Sequence, residues 1–110
     1  MAIKKNFKKS NIALGKNIER LRLIKNMSSM QLGRNINQTR QKILRYECGA
    51  ALVSLSMLEN IACALGEPIP KRIIRKMSIV RKLEVENDTE MADELIALYD
   101  QALPVPDDTL

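Results

Sequence analysis

The chain has 110 residues, of which 45% are hydrophobic and only 3% aromatic, so it fits one all-α domain with an aliphatic core. It has no histidine, no apolar run of the roughly 20 residues that cross a bilayer, and no glycine-rich phosphate loop, which argues against an enzyme, a zinc protein or a membrane protein. Charge is unevenly placed: residues 1–66 hold 12 Lys or Arg and 3 Asp or Glu, whereas residues 83–110 hold 9 acidic residues and no basic one. A basic body predicts a polyanion partner, with a merely solvated surface as the alternative.

Residues 1–11 predict a basic flexible arm. Its four lysines are Lys4, Lys5, Lys8 and Lys9. Such an arm would follow a phosphate backbone or enter a groove, and a plain disordered tail is the alternative. The first helix is predicted over residues 12–25, where apolar residues recur at helical spacing.

Two short helices joined by a turn are predicted next. Ser28 and Gln31 have capping-box spacing at the start of a helix over residues 29–36, and Asn37 suits a left-handed turn residue. The second helix, residues 39–48, begins at a threonine that suits an N-cap and ends before a glycine.

A helical wheel divides this second helix into two halves. The inward half places Ile43 and Tyr46 toward the core. The outward half holds side chains of the kinds that hydrogen-bond base edges or touch a thymine methyl group: Gln41, Leu44, Arg45 and Cys48, with Arg40 at its edge. This half therefore predicts a surface that reads DNA in the major groove.

Three more features are predicted toward the C-terminus. A fourth helix runs from a cap at Ser54 to Gly66, which suits its end. Two amphipathic helices follow, over residues 71–83 and 89–103. Residues 104–110 are expected to be disordered.

Several of these features occur together in the stretch LGKNIERLRLIKNMSSMQLGRNINQTRQKILRYECG and in SLSMLENIACALG, which follows it. In the family that these stretches resemble, a small residue such as Gly33 stands where two crossing helices approach closely, and the letters YECG match the aromatic-Glu-x-Gly that closes the reading helix. Over residues 14–68 the chain thereby resembles the Cro/phage-repressor (xenobiotic-response-element, XRE) helix-turn-helix family of DNA-binding transcriptional regulators. The resemblance implies a lambda-repressor-like helix-turn-helix bundle with additional C-terminal helices, in which residues 12–68 bind DNA.

The resemblance also implies which residues contact DNA. Ser28 and Ser29 would bind a phosphate, and outward side chains of the second motif helix would read bases. The expected contact residues are Ser28, Ser29, Gln38, Thr39, Arg40, Gln41, Lys42, Leu44 and Arg45. An ion pair between Arg22 and Glu47 would tie the reading helix to the first helix, and a surface salt bridge of little value is the alternative.

The C-terminal extension, residues 69–103, is the best candidate for a homodimer contact. Its candidate contact residues are Met91, Leu95, Leu98 and Tyr99. The alternative is an intramolecular cap, in which residues 89–103 close the core of their own domain. Acidic residues in 84–100 would meet basic residues in 71–82 of a partner chain, or would keep the tail away from DNA by repulsion.

Together these features predict a sequence-specific regulator of transcription that binds double-stranded DNA. It would be a dimeric repressor in the cytoplasm, associated with the nucleoid, that occupies a near-palindromic operator by inserting helix 39–48 into the major groove. No cofactor is expected. The alternative is a protein-interaction module, such as an antitoxin or an antiactivator, whose residues 71–110 bind and block a partner protein.

Overall fold

The computed structural model describes residues 7–86 and 88–106, and in them it shows six α-helices and no strand. The helices are α1 (Lys9–Ile24), α2 (Ser29–Asn35), α3 (Arg40–Glu47), α4 (Leu55–Ala64), α5 (Lys71–Glu86) and α6 (Asp88–Ala102). The predicted all-α fold is confirmed. Most of the expected arm, residues 1–6, and the end of the expected disordered tail, residues 107–110, lie outside the described residues.

Helix α1 begins at Lys9, three residues before the predicted start at residue 12, so part of the expected arm is helical. Its start is held by α5. The Ser10 hydroxyl donates a hydrogen bond to Glu84 Oε2 at 2.6 Å, and Lys8 Nζ lies 3.7 Å from Oε1 of the same carboxylate. Because Ser10 and Glu84 are 74 residues apart in sequence, helical spacing near the N-terminus could not indicate this contact.

Local hydrogen bonds set the ends of the short helices, as predicted. Ser28 Oγ accepts from the Gln31 amide at 3.0 Å, and Gln31 Oε1 accepts from the Ser28 amide at 2.8 Å, which completes the capping box. Thr39 Oγ1 and Ser54 Oγ each accept an amide of the first turn of their helix at 3.1 Å. Asn37 has a φ of 60°, the left-handed conformation expected at this turn.

One aliphatic core joins all six helices. Helix α1 packs against both α3 and α6, α2 packs against α3 and α4, and α5 and α6 pack closely on each other. Each helix contributes side chains that are at most 1% exposed: Leu14, Leu32, Ile43, Leu58, Met77 and Leu95. This arrangement places α1 in contact with both the DNA-binding part expected from the sequence and the C-terminal extension.

The C-terminal extension closes the core of its own chain, which is the alternative arrangement expected for residues 89–103. Leu95 and Tyr99 are 1% and 0% exposed, Leu98 is 7% exposed, and Met91 is half-buried against the same core. Helices α1 and α5 of the same chain remove most of this apolar stripe from water. Leu95 and Tyr99 are therefore closed to a second copy while α6 is in this position.

Two exposed acidic side chains of α6 contact α1. Lys9 Nζ lies 2.7 Å from Asp93 Oδ1, and Asn17 Nδ2 donates to Asp100 Oδ1 at 2.7 Å. Both contacts are open to solvent, so they lie at the rim of the apolar contact between the two helices.

Candidate nucleic-acid interface

Helix α3 is fixed to the core by its inward half. Ile43 and Tyr46 are buried, as the helical wheel predicts. Burial raises the pKa of the Tyr46 phenol above its ordinary value. Lys42 is half-buried, and its Nζ lies 5.4 Å from the centroid of the Tyr46 ring, so its ammonium group is held at the side of the helix.

A buried ion pair joins α3 to α1. Arg22 Nε donates to Glu47 Oε2 at 2.6 Å and Arg22 Nη2 donates to Oε1 at 3.1 Å, so the two groups meet through a pair of hydrogen bonds. Arg22 Nη1 also donates to the Met27 carbonyl at 2.9 Å. The hydrogen bond with Glu47 raises the pKa of the Arg22 guanidinium. The predicted pair is confirmed, and its side chains are only 9% and 5% exposed, which sets it apart from a weak surface salt bridge.

The outward half of α3 presents hydrogen-bond donors that the fold does not use. Arg40, Gln41 and Arg45 are exposed, and no described carboxylate pairs with either guanidinium. Leu44 is 38% exposed on the same half. The half therefore combines two cations that have no ion-pair partner among the described residues, one exposed amide and one apolar side chain on an eight-residue helix.

Helices α2 and α3 are joined by four residues, 36–39. The Gln38 amide donates to the Gly33 carbonyl at 2.7 Å, which folds this connection back on α2. A Cβ on Gly33 would lie 2.5 Å from the Gln38 carbonyl oxygen, so a larger residue would require the connection to shift. The close approach at Gly33 is therefore to the turn, whereas the resemblance places it between two crossing helices.

The polar residues at the starts of α2 and α3 differ in how far they can reach a ligand. Ser28 and Thr39 are exposed, and each uses its hydroxyl oxygen as a cap, which leaves the hydroxyl hydrogen able to donate. Gln38 is half-buried. Ser29 is only 8% exposed, so it offers a ligand less surface than Ser28 does.

Gly15 of α1 has a role that sequence reasoning missed. It lies directly against the backbone carbonyl groups of Tyr46 and Glu47 at the end of α3, where a Cβ would overlap both oxygens. Helices α1 and α3 therefore approach as closely as glycine allows. A glycine inside a strong helical pattern was the available signal, since glycine costs stability there unless packing needs it.

Arg34 of α2 is a second residue that sequence reasoning left out. It lines a shallow depression of about 370 Å³ together with Lys25, Gln31 and Asn35. Lys25 Nζ lies 3.5 Å from Glu67 Oε2, whereas no described carboxylate pairs with Arg34. The excess of basic residues in this part of the chain signals such a cation but cannot place it on a surface.

No family model, no curated protein and no solved structure matches the chain. Among the described residues, no group of three or more His, Cys, Asp or Glu side chains is placed to hold a metal ion. None of the described helices is long and apolar enough to cross a membrane. Cys48 and Cys63 are exposed free thiols.

Proposed function

We propose that the chain is a sequence-specific regulator of transcription that binds double-stranded DNA, a member of the XRE helix-turn-helix family that acts as a dimeric repressor on the nucleoid. The observation that carries the proposal is the outward half of α3, with two guanidinium groups that pair with no described carboxylate, one exposed amide and one exposed leucine. The capped α2, the four-residue connection and α3 have the dimensions of a helix-turn-helix, which supports it. The repressor would act by covering promoter DNA.

Each outward side chain of α3 matches one kind of base edge. Arg40 and Arg45 would donate two hydrogen bonds to O6 and N7 of a guanine, and Gln41 would pair with N6 and N7 of an adenine. Leu44 would contact a thymine methyl group. Each good two-bond contact discriminates against a wrong base by about 1–3 kcal/mol, so these few side chains are enough to select a half-site.

The way α3 is held supports the same function. A helix that reads bases must keep its side chains in register with the base pairs, because a small displacement breaks their hydrogen bonds. The Thr39 cap holds the first turn of α3, and the buried pair of Arg22 and Glu47 holds the last. The reading helix is thus positioned before any DNA is bound.

Selection of bound duplexes from a random DNA pool, at near-physiological salt, tests the proposal. We expect the wild-type chain to enrich a two-fold-symmetric consensus and Arg45→Ala to lose the base pairs that this side chain reads. Arg75→Ala removes an exposed arginine from α5 and should enrich the wild-type consensus. Enrichment of no sequence, or of the same consensus by wild type and Arg45→Ala, would contradict the proposal.

The alternative function is a protein-interaction module that acts through residues 71–110. In that case the DNA selection would enrich no sequence. Leu95, Leu98 and Tyr99 are the side chains that such a module would use, and all three are buried in the core. A partner protein would have to displace α6 or use other side chains, and no described contact favours either. DNA binding is therefore the proposal retained.

A further inference from the structure

Helix α5 carries apolar side chains that the core of the chain does not bury. Ile79 is 60% exposed and Leu83 is 45% exposed. Lys76, Ile79 and Leu83 are separated by three and four residues, so they form one stripe along α5. The residues that pack into the core, Ile73, Met77 and Val80, lie on the neighbouring stripe.

A groove of about 420 Å³ lies between this stripe and α6. It is lined by Lys76, Ile79 and Val80 of α5 and by Glu94, Ala97, Leu98 and Gln101 of α6. The middle of the groove is apolar, whereas Lys76 and Glu94 place opposite charges on its two walls. Neither charged side chain has an ion-pair partner among the described residues.

We infer that the α5–α6 groove, together with Leu83, binds the same surface of a second copy of this chain in a two-fold dimer. The inference deepens the proposed function and rests on it for the need to present two reading helices. A two-fold contact uses one patch on both chains, so the patch must be complementary to itself. If the two-fold axis passes midway between Lys76 and Glu94, Lys76 of each copy faces Glu94 of the other copy.

Like charges disfavour two other contacts between copies. A two-fold contact through Leu44 would bring together the arginines that flank it, Arg40 and Arg45, and like charges across a contact are unfavourable. Arg75 and Lys82 lie on the solvent stripe of α5, seven residues apart, and would repel their copies in the same way. The groove, by contrast, carries one charge of each sign around an apolar centre.

The size of the patch indicates a dimer that dissociates on dilution. A few apolar side chains beside one groove bury far less surface than the interfaces of obligate dimers. Two half-sites on one DNA duplex would hold two chains close together and so raise their effective concentration. The groove contact would then be completed on the operator, where it sets the spacing of the two α3 helices.

Sedimentation equilibrium of the full chain, without DNA, tests the inference. We expect a monomer–dimer equilibrium for wild type and a dissociation constant about thirtyfold higher or more for Ile79→Glu, since a charge is placed at the centre of the contact. Leu23→Glu makes the same change at a side chain of α1 that is 58% exposed, and it should dimerise like wild type. Circular dichroism of both variants checks that the helices are intact, as expected for exposed positions.

A charge exchange tests the two-fold pairing itself. Lys76→Glu and Glu94→Lys should each weaken the dimer, and the double variant should recover most of the wild-type affinity because the opposite charges face each other again. A wild-type chain that stays monomeric at its highest soluble concentration would overturn the inference, as would a dimer that Ile79→Glu leaves unchanged or a double variant that recovers nothing. A monomeric chain that still enriches a DNA consensus would overturn the groove dimer and the dimeric form of the repressor, and would leave sequence-specific DNA binding standing. A groove dimer that enriches no DNA sequence would support the dimer contact and contradict the proposed function.

Discussion

The contact of α1 with α3 encloses charge, whereas the contact of α1 with α6 leaves charge at its rim. Against α3, the side chains of Arg22 and Glu47 are 9% and 5% exposed and share two hydrogen bonds. Against α6, Lys9 and Asp93 are 67% and 69% exposed and share one contact of 2.7 Å. A buried ion has lost its hydration and depends on its partner, while water screens an exposed pair. The position of α3 therefore depends on a buried ion pair as well as on apolar packing, and that of α6 on apolar packing.

This difference follows from what each helix has to bury. Helix α3 has eight residues and keeps one half exposed, so only Ile43 and Tyr46 anchor it through apolar contact. Helix α6 buries a full apolar stripe that includes Leu95 and Tyr99. A directional ion pair adds to α3 the orientation that its small apolar face cannot supply.

The largest effect is expected from Glu47→Ala. It leaves the Arg22 guanidinium buried with only its bond to the Met27 carbonyl, so the free energy of unfolding should fall by about 3–5 kcal/mol. Urea denaturation measures this loss, with Glu59→Ala as the control, since this half-buried carboxylate of α4 has no ion-pair partner among the described residues. A loss below about 1 kcal/mol would mean that the buried pair is no stronger than an exposed one.

Gly15→Ala should give the next largest effect at the same contact. The added methyl group meets the carbonyl oxygens of Tyr46 and Glu47, which are backbone atoms and cannot rotate away. We expect a net loss of about 1–3 kcal/mol in the free energy of unfolding, despite the better helix propensity of alanine. Denaturation of Gly15→Ala beside Lys16→Ala, an exposed neighbour, gives the comparison. A more stable Gly15→Ala would show that α1 and α3 can separate without cost.

Tyr99→Phe tests the α6 side through pH. Burial raises the pKa of the Tyr99 phenol, against a smaller opposite effect of the charge and hydrogen bond of Arg81. A raised folded pKa means that this group contributes stability below its unfolded pKa of about 10, and that the contribution is lost as pH rises through the folded pKa. Above about pH 10 the variant should therefore lose less stability than wild type. Both proteins should still lose some stability there, because burial also raises the pKa of Tyr46.

The same variant also has a cost at neutral pH. Arg81 Nε donates to the Tyr99 hydroxyl at 3.0 Å, and removing this acceptor should lower the free energy of unfolding by about 1 kcal/mol. Thermal and urea unfolding at neutral and alkaline pH measure both effects. If wild type and Tyr99→Phe lose the same stability at alkaline pH, the loss comes from groups other than Tyr99.

The smallest effect is expected from Lys9→Ala. Both partners of this pair are mostly exposed, so the free energy of unfolding should change by less than about 0.5 kcal/mol. Asp93→Ala should match it, since neither change leaves a buried charge behind. A loss comparable to that of Glu47→Ala would remove the distinction between the two contacts of α1.

Much of the candidate site could be predicted because it depends on short separations in sequence. The cap of Thr39 and the outward positions of Arg40, Gln41 and Arg45 follow from hydrogen bonds and helical periodicity within one or two turns. The pairing of Arg22 with Glu47 came from the resemblance, since a separation of 25 residues has no local signature. The burial of Ser29 was missed because capping patterns say nothing about what packs over a helix start.

The sequence by itself determined where the helices lie and which half of each is apolar, because these follow from periodicity and from bonds between residues three or four apart. Only the tertiary structure decided what each apolar half meets. The stripe of Leu95 and Tyr99 would serve a second copy or its own core equally well, and it is buried because α1 and α5 close over it. The early start of α1 at Lys9 was decided in the same way, since Ser10 gains its partner Glu84 only when α5 packs beside it.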